Sequence, residues 1–487
     1  METITPDFFS PDSSGPDFSG SAPKEAPKKR NRKLLLLPAA VLAALFAAQG
    51  TSAYRLLNPK EPEQLSAAQT AALEKTLDIH FPERKKNAVP LPFPTVPADL
   101  FINAESAVII DALTGNILFE KNADEEIPPA SMTKLVEMYV VFEAVENGEV
   151  SLDDIVPLPP ESWARNLPSD ASLMFLGEGQ RVTLRELLLG LAVASGNDAS
   201  IAVANYICKT MEAFVERMNS TVKKLGLEKT HFVESSGYSE LNVTTAKEFA
   251  AFCKAYIERF PFALKDFHAQ KVIRYPLEKN LPKSIAERTG DRQAVVQYNT
   301  NKLLSVLEGC DGLKTGFIYE SGFNIALTAE RNGARYISVT MKGPGTGSAQ
   351  GNKYRIQDGT TLMEYAFSKF YPYSASGTDA RSFTVGTAGS KEKSVLLVPA
   401  KKELFSVPFI YGNSPKEAAE SIQVTASIPH IIFGPFEEGQ QFGMLTYTLN
   451  GRVLCTIPLV SDRKSGQTDP LSWLWEFAAY RLSLLFA

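Results

Sequence analysis

With 487 residues, 44% of them apolar and 22% charged, the chain has a globular composition and the length of two or three domains. Its net charge of −5 is small, and no stripe of aromatic and basic residues appears, which excludes a general nucleic-acid binder. The four cysteines (Cys208, Cys253, Cys310, Cys455) form no C-x-x-C, so a zinc ribbon or redox pair is excluded by spacing and scattered buried thiols are expected. The four histidines (His80, His231, His268, His430) form no H-E-x-x-H, so no metal and no cofactor is expected, and nothing points to a Ser-His-Asp triad.

Residues 1–33 read as a tail of disordered composition ending in the basic cluster Lys28-Lys29-Arg30-Asn31-Arg32-Lys33. An uncharged stretch, 34–54, comes next. Positive charge before an apolar run holds the tail inside and sends the downstream chain across a membrane. The stretch admits two readings. Its apolar core, 34–48, followed by Ala48-Gln49-Gly50 and Thr51-Ser52-Ala53, fits a cleaved signal peptide. Its full length fits an uncleaved N-terminal anchor. Either way the rest is expected on the extracytoplasmic side.

Residues 55–98 are polar and end with Pro90, Pro92, Pro94 and Pro97, an extended linker. A strand–turn–strand pattern occupies 107–119, about Thr114-Gly115-Asn116. Residues 131–146 are apolar nearly all round, which predicts a centrally buried helix. Thr183-Leu184-Arg185-Glu186 is a capping box that opens another helix, and a further one starts after Asn197. Strands at 323–330 and 335–341 are joined at Asn332-Gly333, a strong hairpin signal. Strands at both ends with helices between them predict an α+β domain over 99–372. Residues 373–380 are small and polar, a linker. Five strand patterns, two of them joined at Asn450-Gly451, predict a small all-β domain over 381–464. Residues 468–487 form an amphipathic helix whose Trp473, Trp475 and Tyr480 suit an in-plane position at a membrane; docking on the protein's own core is the other reading.

The chemistry turns on Ser131-Met132-Thr133-Lys134. A Ser-x-x-Lys string alone says little, since others begin at Ser21, Ser220, Ser390 and Ser461. Ser131 differs by opening the buried helix, which puts Lys134 on the same face within reach and a positive helix end behind the oxygen. Ser195-Gly196-Asn197 interrupts two apolar helical stretches, and Lys314-Thr315-Gly316 begins a strand run. Ser-x-x-Lys, Ser-Asp-Asn and Lys-Thr-Gly occur together in penicillin-binding proteins and class A β-lactamases.

With Pro129-Ala130 before Ser131, Ser172-Leu173-Met174-Phe175-Leu176, Asp198-Ala199, Leu225-Gly226-Leu227, Thr230-His231-Phe232 and Asp311-Gly312-Leu313, the chain resembles D-alanyl-D-alanine carboxypeptidases of the low-molecular-mass penicillin-binding type. The resemblance runs from about 106 to 370. It implies a β-lactamase/transpeptidase-like domain, with an antiparallel sheet packed against helices. Gly434-Pro435-Phe436 and 457–460 resemble the family's C-terminal β domain, and the last helix its membrane anchor.

The resemblance implies that Ser131 attacks the carbonyl of the penultimate D-Ala of a peptidoglycan stem peptide and forms an acyl-enzyme, which penicillins would trap. No histidine lies in the motifs, so Lys134 is expected as the base, neutral through burial and a neighbouring cation, Lys314. Ser195 would relay the proton to the leaving amine, and Asn197 would bind the peptide backbone. The backbone N–H groups of Ser131 and Phe317 would form the oxyanion hole beside Gly316. Thr315 and Arg355 would bind the substrate's free carboxylate. Phe317 departs from the polar residue often found there, but only its N–H is used. The charged segment 274–296 is longer than the family leads one to expect and reads as an exposed insertion.

A serine β-lactamase is the rival enzyme. The Glu that class A enzymes place four residues before the Asn of Glu240-Leu241-Asn242 is replaced by Tyr238, so slow release of bound penicillin is expected. A non-catalytic wall-binding protein is the third reading, against which the intact motifs count. The loop 343–348 has no G-x-G-x-x-G, and nucleotide binding is set aside.

Overall fold

A computed structural model describes residue 44 and residues 47–375, 381–409 and 414–483. The N-terminal tail, most of the uncharged stretch, most of the 373–380 linker and the last residues of the terminal helix lie outside the described residues.

The frame of the first domain is an antiparallel sheet. It is built from β1 (Ser106–Asp111), β2 (Asn116–Lys121), β3 (Cys310–Ile318), β4 (Gly322–Arg331) and β5 (Ala334–Gly343). The order is β2-β1-β5-β4-β3, with the short strand Val89–Pro90 added outside β2 and β3 left as the free edge. All six residues of β1 are buried, because both faces of the sheet are covered. Ala107 and Ile109 face the long helix Ser348–Lys369, while Val108 and Ile110 face the helical lobe, as the two-residue period of a strand requires. The β4–β5 turn uses Asn332 and Gly333 at φ of 53° and 81°, the left-handed pair that a tight hairpin needs.

At the centre of the helical lobe runs the helix expected there, observed as Thr133–Glu146 after a short 3-10 turn, Ala130–Met132. Tyr139 and Phe142 pack on Phe252, Tyr256, Phe260 and Phe267, so the helix is surrounded rather than laid on a surface. Six of the helices, in chain order, are α1 (Ala67–His80), α2 (Thr133–Glu146), α3 (Asn197–Cys208), α4 (Ala246–Arg259), α5 (Ser348–Lys369) and α6 (Pro470–Ser483).

The second domain is a sheet ordered Gln423–Ser427, Gln441–Leu449, Arg452–Ser461, Ser394–Pro399, Phe383–Ala388, Ile431–Phe433. Its longest hairpin turns at Asn450 and Gly451, both with positive φ.

Two expectations about connecting segments change. The 55–98 linker is ordered against the protein: α1 is capped by a Ser66–Gln69 box and buries Leu73 and Leu77, four residues apart, on Ala400 and Val460. Phe93 enters the core of the β domain, while the region about Val96 stands clear as a spacer would. Residues 373 and 374 belong to a strand, Phe370–Ser374, paired with Leu404–Pro408, because Tyr371 and Tyr373 alternate onto the second core. The 274–296 insertion is exposed at Glu278, Lys279, Lys283, Glu287 and Arg288, as expected, and takes the form of a hairpin, Val272–Tyr275 with Val295–Tyr298, carrying a helical turn Lys283–Thr289 at its tip. It is pinned by Asn280, which donates to the Arg181 carbonyl at 2.8 Å and to Glu186 at 3.1 Å.

The terminal helix α6 docks one side on the β domain, against the in-plane expectation for the whole helix. Ala479 is buried with Leu56, Ala388 and Ile431, and Glu476 accepts from the Gly389 N–H at 2.7 Å and Lys393 at 2.6 Å. Its other side leaves Leu471 and Leu474 exposed. No helix among the described residues is long and apolar enough to cross a membrane.

Candidate active site

The nucleophile turn is clamped from two sides. Ala130, just before Ser131, is at φ 50°. A Cβ on Gly316 of β3 would stand 2.5 Å from the Pro129 carbonyl oxygen and 3.2 Å from the Ser131 nitrogen. A Cβ on Gly237 would stand 1.9 Å from the Ala130 oxygen, and its φ of +80° is itself a glycine conformation. Asn324 of β4 adds a 2.9 Å bond to the Pro128 carbonyl. Ser131 is therefore held against the sheet edge with a half-buried side chain, at the N-terminal end of α2.

Lys134, fully buried one turn on, reaches back to Ser131. Its Nζ donates to Ser131 Oγ at 3.2 Å, Asn197 Oδ1 at 2.8 Å and the Ser236 carbonyl at 2.5 Å. Burial pulls its pKa down to about 8, against the opposing charges of Glu137, Glu234 and Asp198. Of the two causes expected, burial acts, and Lys314 is not among the groups that shift it. The repulsion is felt at Lys314, whose proton affinity is lowered well below the ordinary lysine value by burial first and then by Lys134 and Arg355.

Ser195 follows a π-turn, Gly190–Ala194, and sits in the left-handed conformation at φ 60°, ψ 32°. Its hydroxyl accepts from Lys314 Nζ at 3.0 Å. Asp198 fixes this corner: its carboxylate accepts from the backbone N–H groups of Met174 and Leu176 at 2.8 and 2.9 Å, while Asn197 N–H donates to the Ser172 carbonyl at 2.8 Å. The three motifs, far apart in the chain, meet in one cleft as two Lys–Ser pairs.

On the β3 side, Thr315 donates to Thr300 Oγ1 at 2.7 Å, and Phe317 packs at a tilt on Phe323 with centroids 4.4 Å apart. Arg355 of α5 is brought beneath the same strand. It donates to the Gly316 carbonyl and to Asn352 Oδ1 at 3.1 Å, and lies 5.0 Å from the Phe323 ring. Its Nε has no partner, and burial pulls its pKa to about 10. A buried guanidinium with a spare donor and no carboxylate paired to it among the described residues suits an anionic ligand.

Several residues of the site are not marked by any motif. Glu234 accepts from the N–H groups of Ser236 and Gly237 at 2.7 Å each, and from Asn242 Nδ2 at 2.8 Å, so it shapes the loop behind the nucleophile. The string Ser235-Ser236-Gly237 is a turn signal that could have marked it. Tyr238 points away to Asp170, its hydroxyl donating at 3.1 Å, and leaves no carboxylate at that position.

A serine–lysine pair at a helix N-terminus, with a second such pair opposite and a free sheet edge beside them, defines an acyl-transfer centre of the penicillin-recognising serine class. A family model described as D-alanyl-D-alanine carboxypeptidase matches residues 94–345. The chain belongs to the D-alanyl-D-alanine carboxypeptidase family. It is 30% identical to DacD of Salmonella typhimurium over 78% of this chain and 91% of that protein. It is 28% identical to DacF of Bacillus subtilis over 77% of this chain and 90% of that one. Among solved structures, penicillin binding protein 5 from Haemophilus influenzae is similar at a TM-score of 0.63 and 26% identity, over 77% of this chain and all of that one.

Proposed function

We propose that this chain is a serine carboxypeptidase that removes the terminal D-alanine from peptidoglycan stem peptides ending in D-Ala-D-Ala. The observation that carries this reading is the buried Lys134 amine 3.2 Å from Ser131 Oγ, in a cleft that holds a second Lys–Ser pair and no histidine among the groups bonded to them. Ser131 Oγ attacks the penultimate carbonyl and gives its proton to neutral Lys134. The oxyanion that forms is met by the N–H groups of Ser131 and Phe317. Collapse breaks the amide bond, and the proton held on Lys134 passes through the Ser195 hydroxyl, oriented by Lys314, to the departing D-alanine nitrogen, which leaves Lys134 neutral again. Asn197 binds the peptide backbone. Water, activated at Lys134, then releases the acyl group.

Arg355 and Thr315 bind the terminal carboxylate. Their position beside Gly316 and the unused Nε of Arg355 support this assignment. Penicillins, which present an acylating amide beside a carboxylate, acylate Ser131. No carboxylate occupies the Tyr238 position, so the acyl-enzyme hydrolyses slowly.

The catalytic domain works on the extracytoplasmic side of a bacterial cytoplasmic membrane. The basic cluster ahead of the 34–54 stretch supports export, and the exposed Leu471 and Leu474 of α6 support contact with the lipid surface. Incubation with a D-Ala-D-Ala peptide tests the activity: release of one D-alanine, lost in Ser131→Ala, is expected. Intact peptide with the folded wild-type chain contradicts it.

A further inference from the structure

Glu137 has no task in this mechanism, yet it occupies a costly position. It lies on α2 one turn beyond Lys134, on the same face, and is wholly buried. Neither of its carboxylate oxygens has a partner within full hydrogen-bond geometry, and the one donor turned towards it, the Ser200 hydroxyl, offsets little of the cost of burial. A buried carboxylate so poorly supplied with donors is strongly disfavoured when ionised.

The other acids near Lys134 are committed elsewhere. Asp198 on α3 accepts the N–H groups of Met174 and Leu176, and Glu234 accepts those of Ser236 and Gly237. The remaining groups around the pair are Ser200 of α3, bonded to Ser235 at 2.7 Å, and Lys314 of β3, which faces Lys134 from the far side. Of these acids, only Glu137 is free to gain or lose a proton without breaking a bonded network. Burial pushes its carboxyl up to about 8, against the pull of Lys134, which is itself brought down to about 8. The two groups act on each other through the field, since the Lys134 amine is bonded to Ser131, Asn197 and Ser236.

We propose that Glu137 is a positioning residue that sets the charge of Lys134, holding the proton on the amine when ionised and releasing it when protonated. The pair passes from ammonium and carboxylate to amine and carboxylic acid. One proton leaves Nζ, one arrives on the carboxyl, and the net charge is zero in both forms. The neutral form is the one that can accept the Ser131 proton. This inference rests on Ser131 and Lys134 being nucleophile and base.

The test is the pH dependence of Ser131 acylation by a fluorescent penicillin, in the full chain and its Glu137→Gln and Glu137→Asp variants. Removing the negative charge makes Lys134 give up its proton more easily. The acid limb of Glu137→Gln is therefore expected about one pH unit or more lower, the size expected of a unit charge one helical turn away. Glu137→Asp keeps the charge and keeps the limb. A merely structural role would alter melting and leave the limb in place, and an unmoved limb in folded Glu137→Gln overturns the proposal. Should that variant not fold, infrared spectra of the wild-type chain decide. A buried carboxylic-acid band at pH 7 that moves in Glu137→Asp supports it, and its absence overturns it. Failure of all three proteins to label would count against the nucleophile assignment instead.

Discussion

Lys314 donates to the Ser195 hydroxyl at 3.0 Å from across the cleft, so the serine proposed to hand a proton to the leaving group is oriented by a lysine of its own. That pair mirrors Lys134 and Ser131. In the proposed mechanism the two pairs divide the work, one taking a proton from the nucleophile and the other returning one to the amine.

Ser195→Ala should therefore slow release of D-alanine by about 10²- to 10⁴-fold, the usual worth of a positioned proton donor. Acylation by a penicillin with a less basic leaving group should fall less. Steady-state kinetics on the peptide beside stopped-flow acylation measures the difference.

The pH dependence comes from two opposed shifts. Lys134 is lowered from 10.5 to about 8, so acylation should rise with pH through about 8 as the amine loses its proton. Between those values the unfolded chain binds more protons at this lysine, and its contribution makes stability rise with pH. Glu137 is raised from 4.5 to about 8, so the stability it contributes is present below 4.5 and is lost as pH rises through 8. Denaturant melts from pH 4.5 to 8 should show a flatter profile for Glu137→Gln than for the wild type.

Gly237→Ala places a methyl 1.9 Å from the Ala130 oxygen at a left-handed φ. Displacement of the nucleophile turn should cut acylation by at least about 100-fold, since misplacing a reacting group by about 1 Å has that effect. The same strain should destabilise the fold by about 1–3 kcal/mol. Acylation rates and thermal melts check both.

If Arg355 reads the substrate carboxylate, amidating the C-terminus of the D-Ala-D-Ala peptide should abolish cleavage. Arg355→Met should weaken cleavage of the acid by about 10- to 100-fold, the worth of a charge-assisted bond. Equal rates for acid and amide would point to an endopeptidase.

The parts of this site that are legible in the sequence are those written as side-chain chemistry. Ser131, Lys134, Ser195 and Lys314 carry their roles in their own functional groups, and short motifs preserve the spacing. The Asn332-Gly333 and Asn450-Gly451 turns are legible for the same reason, since few residues tolerate that backbone. The hidden parts depend on space and on backbone groups. The need for Gly237 arises only when the Ala130 carbonyl lies against it, and Glu234 acts on N–H groups that no motif displays. Burial as a cause of the Lys134 shift is legible in the apolar helix around it, while the weight given to Lys314 is misread because the acids that face Lys134, Glu137, Glu234 and Asp198, come together only in the fold. The 55–98 segment reads as a linker because its prolines outweigh Leu73 and Leu77, whose four-residue spacing matters only with Ala400 and Val460 beneath it.

The central claim is that Ser131, deprotonated by Lys134, is the group that becomes acylated. Mass spectrometry of the chain after brief exposure to a penicillin tests it most directly, with the adduct mapped by digestion. One equivalent of adduct on the peptide carrying Ser131 is expected, absent in Ser131→Ala and much slower to form in Lys134→Ala. An adduct that persists in folded Ser131→Ala, or none on the folded wild-type chain, would contradict the account.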